Sequence, residues 1–265
     1  MRGLEGKTAI VTGGTRGIGF ACAKRLLEEG VDVTITGRDE SRGQEAAKEL
    51  SAIHAGIRFL AGNMKDETFC ARVVSETIGT FGRLDFLVNN AFPFTAKALD
   101  ATREDWIHTM EAGPVAYATM IQEYVRHRGR GKGAIVCMSS ISANIAQPSR
   151  WTYNVAKGGV AQLVRCAAID LAPDIRVNAV LPGWVWTDEV EKATMGEGRA
   201  KWEPIWGDFH MTGRLQEPEE IAGAVAFLLS DDASAVTGTN MDVSSGYLAM
   251  GSEGLGKASN FAGSV

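Results

Sequence analysis

The sequence predicts an α/β fold, a doubly wound sheet of seven mostly parallel strands with helices on both faces. Two observations carry this. Short β-branched runs alternate with helix-length stretches along the chain, and parallel strands need such crossovers. Glycine makes up 31 of the 265 residues, above the usual share of about 7%, and many glycines fall at strand-to-helix junctions.

Thr8-Ala9-Ile10-Val11 reads as the first strand and runs into a glycine cluster. Ile18 to Glu29 reads as a helix, with Ala21, Cys22 and Leu26 on one face and Gly30 as its stop. Val33 to Thr36 is the second strand, Glu40 to Leu50 the second helix and Ile57 to Leu60 the third strand. A helical stretch over 67–78 precedes the strand Leu84 to Val88. A long helical segment, about Glu104 to Arg128, leads into the strand Ala134 to Met138. The helix Val155 to Leu171 and the strand Ile175 to Val180 follow, then the helix Glu219 to Leu229 and the strand Asn240 to Val243. Segment 184–213 is too polar and broken for a core element and too aromatic for a linker. The expected organisation is one domain over 1–251 with a substrate lid at about 184–213. Residues 252–265, rich in Gly, Ser and Ala, are expected to form a flexible tail.

Composition excludes several classes. Hydrophobic residues make up 45% and charged residues 22%, which rules out a disordered chain. A net charge of −5 disfavours nucleic acid as a partner. No apolar run approaches the ~20 residues that span a bilayer, and residues 1–7 lack a signal peptide's apolar stretch. Cys22, Cys70, Cys137 and Cys166 show no CxxC spacing, and the four histidines form no ligand pattern. Neither a metal nor a disulfide framework is expected, and the expected location is cytoplasmic.

The glycine cluster reads Thr12-Gly13-Gly14-Thr15-Arg16-Gly17-Ile18-Gly19. Between a strand and a helix, this is a Rossmann-type dinucleotide turn. Gly13 turns the chain, Gly17 admits backbone to the pyrophosphate, and Gly19 lets helix and sheet pack closely. The helix N-terminus then offers N–H groups to the phosphates. A purely structural turn is the rival reading. An acidic residue ending the second strand would bind a ribose 2′-hydroxyl and repel a 2′-phosphate. Gly37 and Arg38 stand there instead, with Arg16 inside the turn. Two forked guanidinium groups suit a phosphate dianion, so the expected cofactor is NADP(H).

Ser139-Ser140 follows the fifth strand, and Tyr153 and Lys157 lie four residues apart on one helical face. A free tyrosine, with a pKa of about 10, is a poor base near neutrality. Lys157 and a positive nicotinamide ring are expected to lower it. Tyr153 could then exchange a proton with a substrate oxygen as hydride moves to or from the cofactor. A Ser140 hydroxyl could hold the same oxygen. Alone, such a Tyr/Lys pair is mostly coincidence; the dinucleotide turn upstream and the preceding serine give it meaning.

On these residues the chain resembles the short-chain dehydrogenase/reductase family. The similarity is to its single-domain branch of oxoacyl-carrier-protein reductases and sugar or steroid dehydrogenases, over residues 6 to about 248. The match also includes Asn89-Asn90-Ala91, Pro182-Gly183 with Thr187, and Arg214 through Glu217-Pro218-Glu219-Glu220-Ile221-Ala222. The resemblance implies that Asn90 and Ala91 lie beside the adenosine ribose and that Pro182 to Thr187 wrap the nicotinamide. It implies that the Val185 backbone binds the carboxamide and that Lys157 also holds the nicotinamide ribose. Thr15, Ile18, Asn63 and Met64 complete the implied cofactor set. Asn63 replaces the aspartate that meets adenine, and its side-chain oxygen can still accept a hydrogen bond. The resemblance also implies a homo-oligomer, a dimer or tetramer, paired through helices 104–128 and 155–171. Ala156, Val160, Val164 and Ala167 would form such a contact or simply be core.

Further departures from the family pattern are informative. Phe92 stands where Asn-Asn-Ala is usually followed by glycine, and Val243-Ser244-Ser245-Gly246 replaces Val-Asp-Gly-Gly. Gly113, followed by Pro114, takes the place of the family's fourth catalytic residue, an asparagine that holds a proton-relay water. The sequence predicts a kink there. The freed Met110 carbonyl would anchor that water, or the kink would make room for a bulky substrate.

Five of the six tryptophans fall in 151–206: Trp151, Trp184, Trp186, Trp202 and Trp206. Phe92, Trp151, Trp184 and Trp206 are therefore the candidate substrate contacts, for an aromatic or alicyclic ketone or alcohol. The rival reading has some of these rings anchor the lid or a subunit contact. Arg150 and Arg199 are expected near the rim, where most such arginines are simply solvated, and His210 could contact a polar substrate group. Three functions stay open: a ketoreductase, an alcohol or diol dehydrogenase of a degradation pathway, and a non-catalytic nucleotide-sensing relative. The expected partner is a small-molecule ketone or alcohol, with no membrane involved.

Overall fold

The strands of the computed structural model, which describes residues 1–251 and Gly254, are β1 (Thr8–Val11), β2 (Asp32–Gly37), β3 (Ile57–Ala61), β4 (Phe86–Asn89), β5 (Gly133–Met138), β6 (Ile175–Pro182) and β7 (Asn240–Val243). They form one sheet in the order β3-β2-β1-β4-β5-β6-β7. Every neighbouring pair is parallel, beyond the expected mostly parallel arrangement. Apart from Gly254, the expected tail lies outside the described residues.

Alternation along the strands feeds two cores. Ala9, Val11, Ile35, Val88 and Val136 face α1 (Gly17–Glu28), α2 (Glu40–Ser51) and α9 (Pro218–Leu229). Ile10, Leu87, Ile135 and Val177 face α3 (Glu67–Phe81), α5 (Ala116–His127) and α6 (Trp151–Leu171). β1 is buried along its whole length, as a strand covered on both faces requires. Strand order reverses between β1 and β4, which opens a crevice at the carboxyl ends of the strands.

Two expectations change and one open alternative closes. The single helix over Glu104 to Arg128 is α4 (Arg103–Met110) and α5 joined by a π-helical turn, Glu111–Val115. Pro114 has no N–H to continue the ladder, and the turn absorbs the defect. Segment 184–213 is not wholly irregular: it holds α7 (Asp188–Ala193) and α8 (Arg199–Gly207). Of the two readings of Ala156, Val160, Val164 and Ala167, core or partner contact, their burial within the chain supports core. Among the described residues, no helix is long and apolar enough to cross a membrane, and no cluster of three or more His, Cys, Asp or Glu could hold a metal.

Candidate active site

At the switch point the chain encloses a cleft of about 820 Å³. Gly13, Thr15, Arg16, Gly17, Ile18, Gly19, Arg38, Asn63, Met64, Asn90, Ala91, Phe92 and Thr187 all line it. The glycine turn is tied down from both sides. The Gly13 N–H donates to Thr36 Oγ1 at 3.2 Å, and Asn90 Nδ2 donates to the Thr12 and Gly13 carbonyls at 3.0 and 3.2 Å. The Ala91 N–H donates to Thr12 Oγ1 at 3.0 Å. Gly13 is left-handed at φ +68, and a β-carbon on Gly19 would overlap the Gly13 carbonyl oxygen. A glycine cradle at a helix N-terminus fits a dinucleotide pyrophosphate.

Val185 supplies a second test of fit. The flanking peptides pair with Gln216: the Gln216 N–H donates to the Trp184 carbonyl at 3.0 Å, and the Trp186 N–H to the Gln216 carbonyl at 2.8 Å. Val185 is buried, and its own N–H and C=O take no partner among the described residues. Buried peptide groups are almost always paired. A donor and acceptor side by side match a carboxamide. Pro182 ends β6, and Gly183 and Trp184 lead from it to Val185.

The arginines divide. Arg16 lines the cleft with its guanidinium already engaged: its Nη1 and Nη2 bond Asp188 and Glu189 of α7 at 3.1 and 2.7 Å. The Arg38 side chain takes no partner among the described residues, and Arg42, which the sequence reading missed, lines the same cleft. Its signal was available, since Arg42 follows Arg38 by one helical turn. Asn63 Oδ1 is taken by the Lys65 N–H at 3.1 Å.

Ser140 ends the β5 loop and caps the 3₁₀ turn Ile141–Ala143. Its Oγ accepts from the Ser142 N–H and donates to Ser142 Oγ, both at 3.1 Å, and Ser142 Oγ donates to Gln147 Oε1 at 2.5 Å. This orienting chain has no sequence signature. Lys157, buried on α6, donates from Nζ to the Met138 carbonyl at 2.9 Å. Desolvation pushes its pKa down to about 7. Tyr153 departs from expectation. Burial pushes the phenol up, and a hydrogen bond with Ser140 and the charge of Arg150 only partly oppose this.

Aromatic rings wall the site. Phe92 meets Tyr153 edge-on at 5.5 Å and Phe94 meets it at 5.0 Å. Trp184 packs on Trp206 at 5.3 Å, and Trp206 stacks on Trp202 at 4.9 Å. Trp206 is buried behind Trp184 and anchors segment 184–213. Trp151 stands exposed at the start of α6 and joins none of these ring contacts. His210, expected to contact a polar substrate group, instead ties segment 184–213 to itself. It is fully buried, its Nε2 accepts the Trp184 N–H at 3.0 Å, and its Nδ1 lies 3.2 Å from the Trp206 carbonyl. Burial lowers its pKa, which keeps the neutral form these bonds need. Arg199 is spent on Glu203 and Glu217.

A family model described as enoyl-(acyl carrier protein) reductase matches residues 13–248. An NADP-dependent (R)-specific alcohol dehydrogenase from Lentilactobacillus kefiri is 36% identical over 93% of this chain and 98% of its own. Human dehydrogenase/reductase SDR family member 4 is 34% identical over 92% and 88%. The chain belongs to the short-chain dehydrogenase/reductase family. A variant of actinorhodin polyketide ketoreductase, solved with NADPH, superposes on this short-chain dehydrogenase/reductase with a TM-score of 0.87 at 27% identity, over 93% of this chain and 99% of that one.

Two departures of this short-chain dehydrogenase/reductase from the family pattern prove to be one feature. A β-carbon on Gly113 would overlap the Phe92 ring, which fills the space beside the π-helical turn. The same ring lies 4.0 Å from Lys157 Nζ. The kink exists, and the gap beside Gly113 is filled by Phe92 rather than held open for substrate. Gly113→Ala is expected to cost about 1–3 kcal/mol through overpacking. Adding Phe92→Gly is expected to recover part of that loss, a coupling of about 0.5–3 kcal/mol. Denaturant unfolding of the two single variants and the double variant measures it; additive losses would refute the contact.

Proposed function

We propose that the protein is an NADP(H)-dependent oxidoreductase that interconverts a ketone and a secondary alcohol, with an aromatic or alicyclic substrate. The observation that carries this reading is the grouping of Ser140, Tyr153 and buried Lys157 against Phe92, a residue that lines the dinucleotide-shaped cleft. The names of the similar alcohol dehydrogenase and ketoreductase agree with it. NADPH, when bound, supplies the hydride that the carbonyl carbon accepts.

The chain's own residues do the rest. Gly13 to Gly19 receive the pyrophosphate, Arg38 and Arg42 the 2′-phosphate, and Asn90, Ala91 and Met64 border the adenosine half. Pro182, Gly183, Thr187 and the Val185 peptide groups hold the nicotinamide end. Tyr153 gives its phenolic proton to the carbonyl oxygen as negative charge develops there. The upward pKa shift keeps that proton in place at neutral pH, which suits reduction. Ser140 stabilises the same oxygen, and its own geometry is set by Ser142 and Gln147. The Lys157 ammonium favours the phenolate left behind. Phe92, Phe94 and Trp184 exclude water.

The same reading takes residues 1–251 as one domain with a lid over 184–213, acting in the cytoplasm as a dimer or tetramer. Exposed Ile107, Val115, Val125, Val155 and Ile169 on the α4–α5 unit and α6 support the oligomer. The test is loss of NADPH absorbance with a panel of cyclic and aryl ketones. Turnover with NADPH and little with NADH supports the reading. A protein that binds NADPH yet reduces no ketone would overturn it in favour of a nucleotide-sensing relative.

A further inference from the structure

Arg150 lies one helical turn before Tyr153, between two aromatic side chains from different loops. Its guanidinium carbon is 5.4 Å from the Phe94 ring centre and 5.5 Å from that of Trp184. Phe94 comes from the segment after β4 and Trp184 from the segment after β6, so the lid and the catalytic helix meet on this residue. Its side chain takes no hydrogen bond and no ion pair among the described residues. The other arginines around the lid behave differently. Arg16, Arg199 and Arg214 are each bonded to carboxylates.

The local backbone commits Arg150 to this place. Ser149 is left-handed at φ +58, a conformation a serine rarely adopts, and it turns the chain into α6. Ring contacts use the π surface of a guanidinium and leave its N–H donors available. The charge is also felt at the reaction centre, because Arg150 is one of the groups that holds the Tyr153 phenol down. An unspent fork of donors, half-buried among rings and beside the proton donor, is a receptor for an anion on the substrate.

We propose that the substrate is a carbonyl compound bearing a carboxylate, and that Arg150 receives that carboxylate while Tyr153 faces the carbonyl. A planar carboxylate matches the guanidinium edge through two parallel hydrogen bonds. One guanidinium balances one carboxylate charge, whereas a phosphate dianion would leave charge uncompensated among apolar rings. The proposal rests on the ketone reading above and narrows it to keto acids.

The test uses NADPH-dependent reduction of benzoylformate, acetoacetate and levulinate, each against its methyl ester. The carboxylate stands progressively farther from the ketone along this series. For at least one of the three, kcat/KM for the acid is expected to exceed that for the ester by about tenfold or more. Arg150→Met is expected to collapse this acid-to-ester ratio, and Arg150→Lys to restore part of it. A ratio at or below one for all three pairs, or a ratio that Arg150→Met leaves unchanged, overturns the proposal. Calorimetry of benzoate and benzamide with the NADP⁺-loaded protein separates this failure from failure of the ketone reading. Benzoate binding that Arg150→Met abolishes supports the anion site even if no ketone turns over. Equal binding of benzoate and benzamide removes the site even if ketones are reduced.

Discussion

Tyr153→Phe is expected to lower kcat for ketone reduction by about a hundred- to ten-thousand-fold, the usual weight of a positioned acid. NADPH affinity is expected to hold, because the lost hydroxyl lies outside the glycine cradle and, on the proposed reading, faces the substrate oxygen. The ring contacts with Phe92 and Phe94 persist in the variant, so the fold around the site stays intact. Single-turnover reduction with pre-bound NADPH is the measurement. A variant that keeps more than a few per cent of the wild-type rate would place the acid elsewhere.

Arg38→Asp is expected to weaken NADPH binding by at least about 1.5–3 kcal/mol, roughly 10- to 150-fold in Kd, from the lost charged hydrogen bond alone. Repulsion between the new carboxylate and the 2′-phosphate adds to this. NADH lacks that phosphate, so its affinity should fall far less, and fluorescence titration of both cofactors reads the difference. Arg16→Gln should cost less than Arg38→Asp, since the Arg16 guanidinium already bridges Asp188 and Glu189. The reverse order would mean that Arg16 leaves α7 when the cofactor binds.

The β-branched runs and the glycine turn made the sheet and the cleft legible, because both signals are local. The start of α6 was less so. Arg150 precedes that helix without a side-chain cap, so no Ser, Thr, Asp or Asn marks the boundary. α7 does follow a threonine, Thr187, but is only Asp188–Ala193 long, and α8 begins after a glycine and carries Pro204 inside it, which hides the helical pattern. Pro114 flagged the kink, yet nothing near it in sequence says that Phe92 fills the space beside Gly113. The fates of Arg16 and His210 were likewise tertiary, since their partners lie far along the chain or across the lid. Tyr153 shows the limit for electrostatics. The sequence displays the neighbouring lysine but not the burial that raises the phenol's pKa.

The strand order also sets a direction for assembly. β1, β2 and β3, with α1 and α2 between them, can come together from sequence neighbours alone. Ile10 must then find Leu87 before the second half of the sheet has an edge to grow on. After that, β5, β6 and β7 each add to the strand before them. Closing the β1–β4 pairing costs chain entropy before it brings contacts, so it is the expected slow step of refolding. During synthesis the glycine turn is complete while Tyr153 has yet to be made, and the nascent chain gains its phosphate-binding corner before it gains an acid.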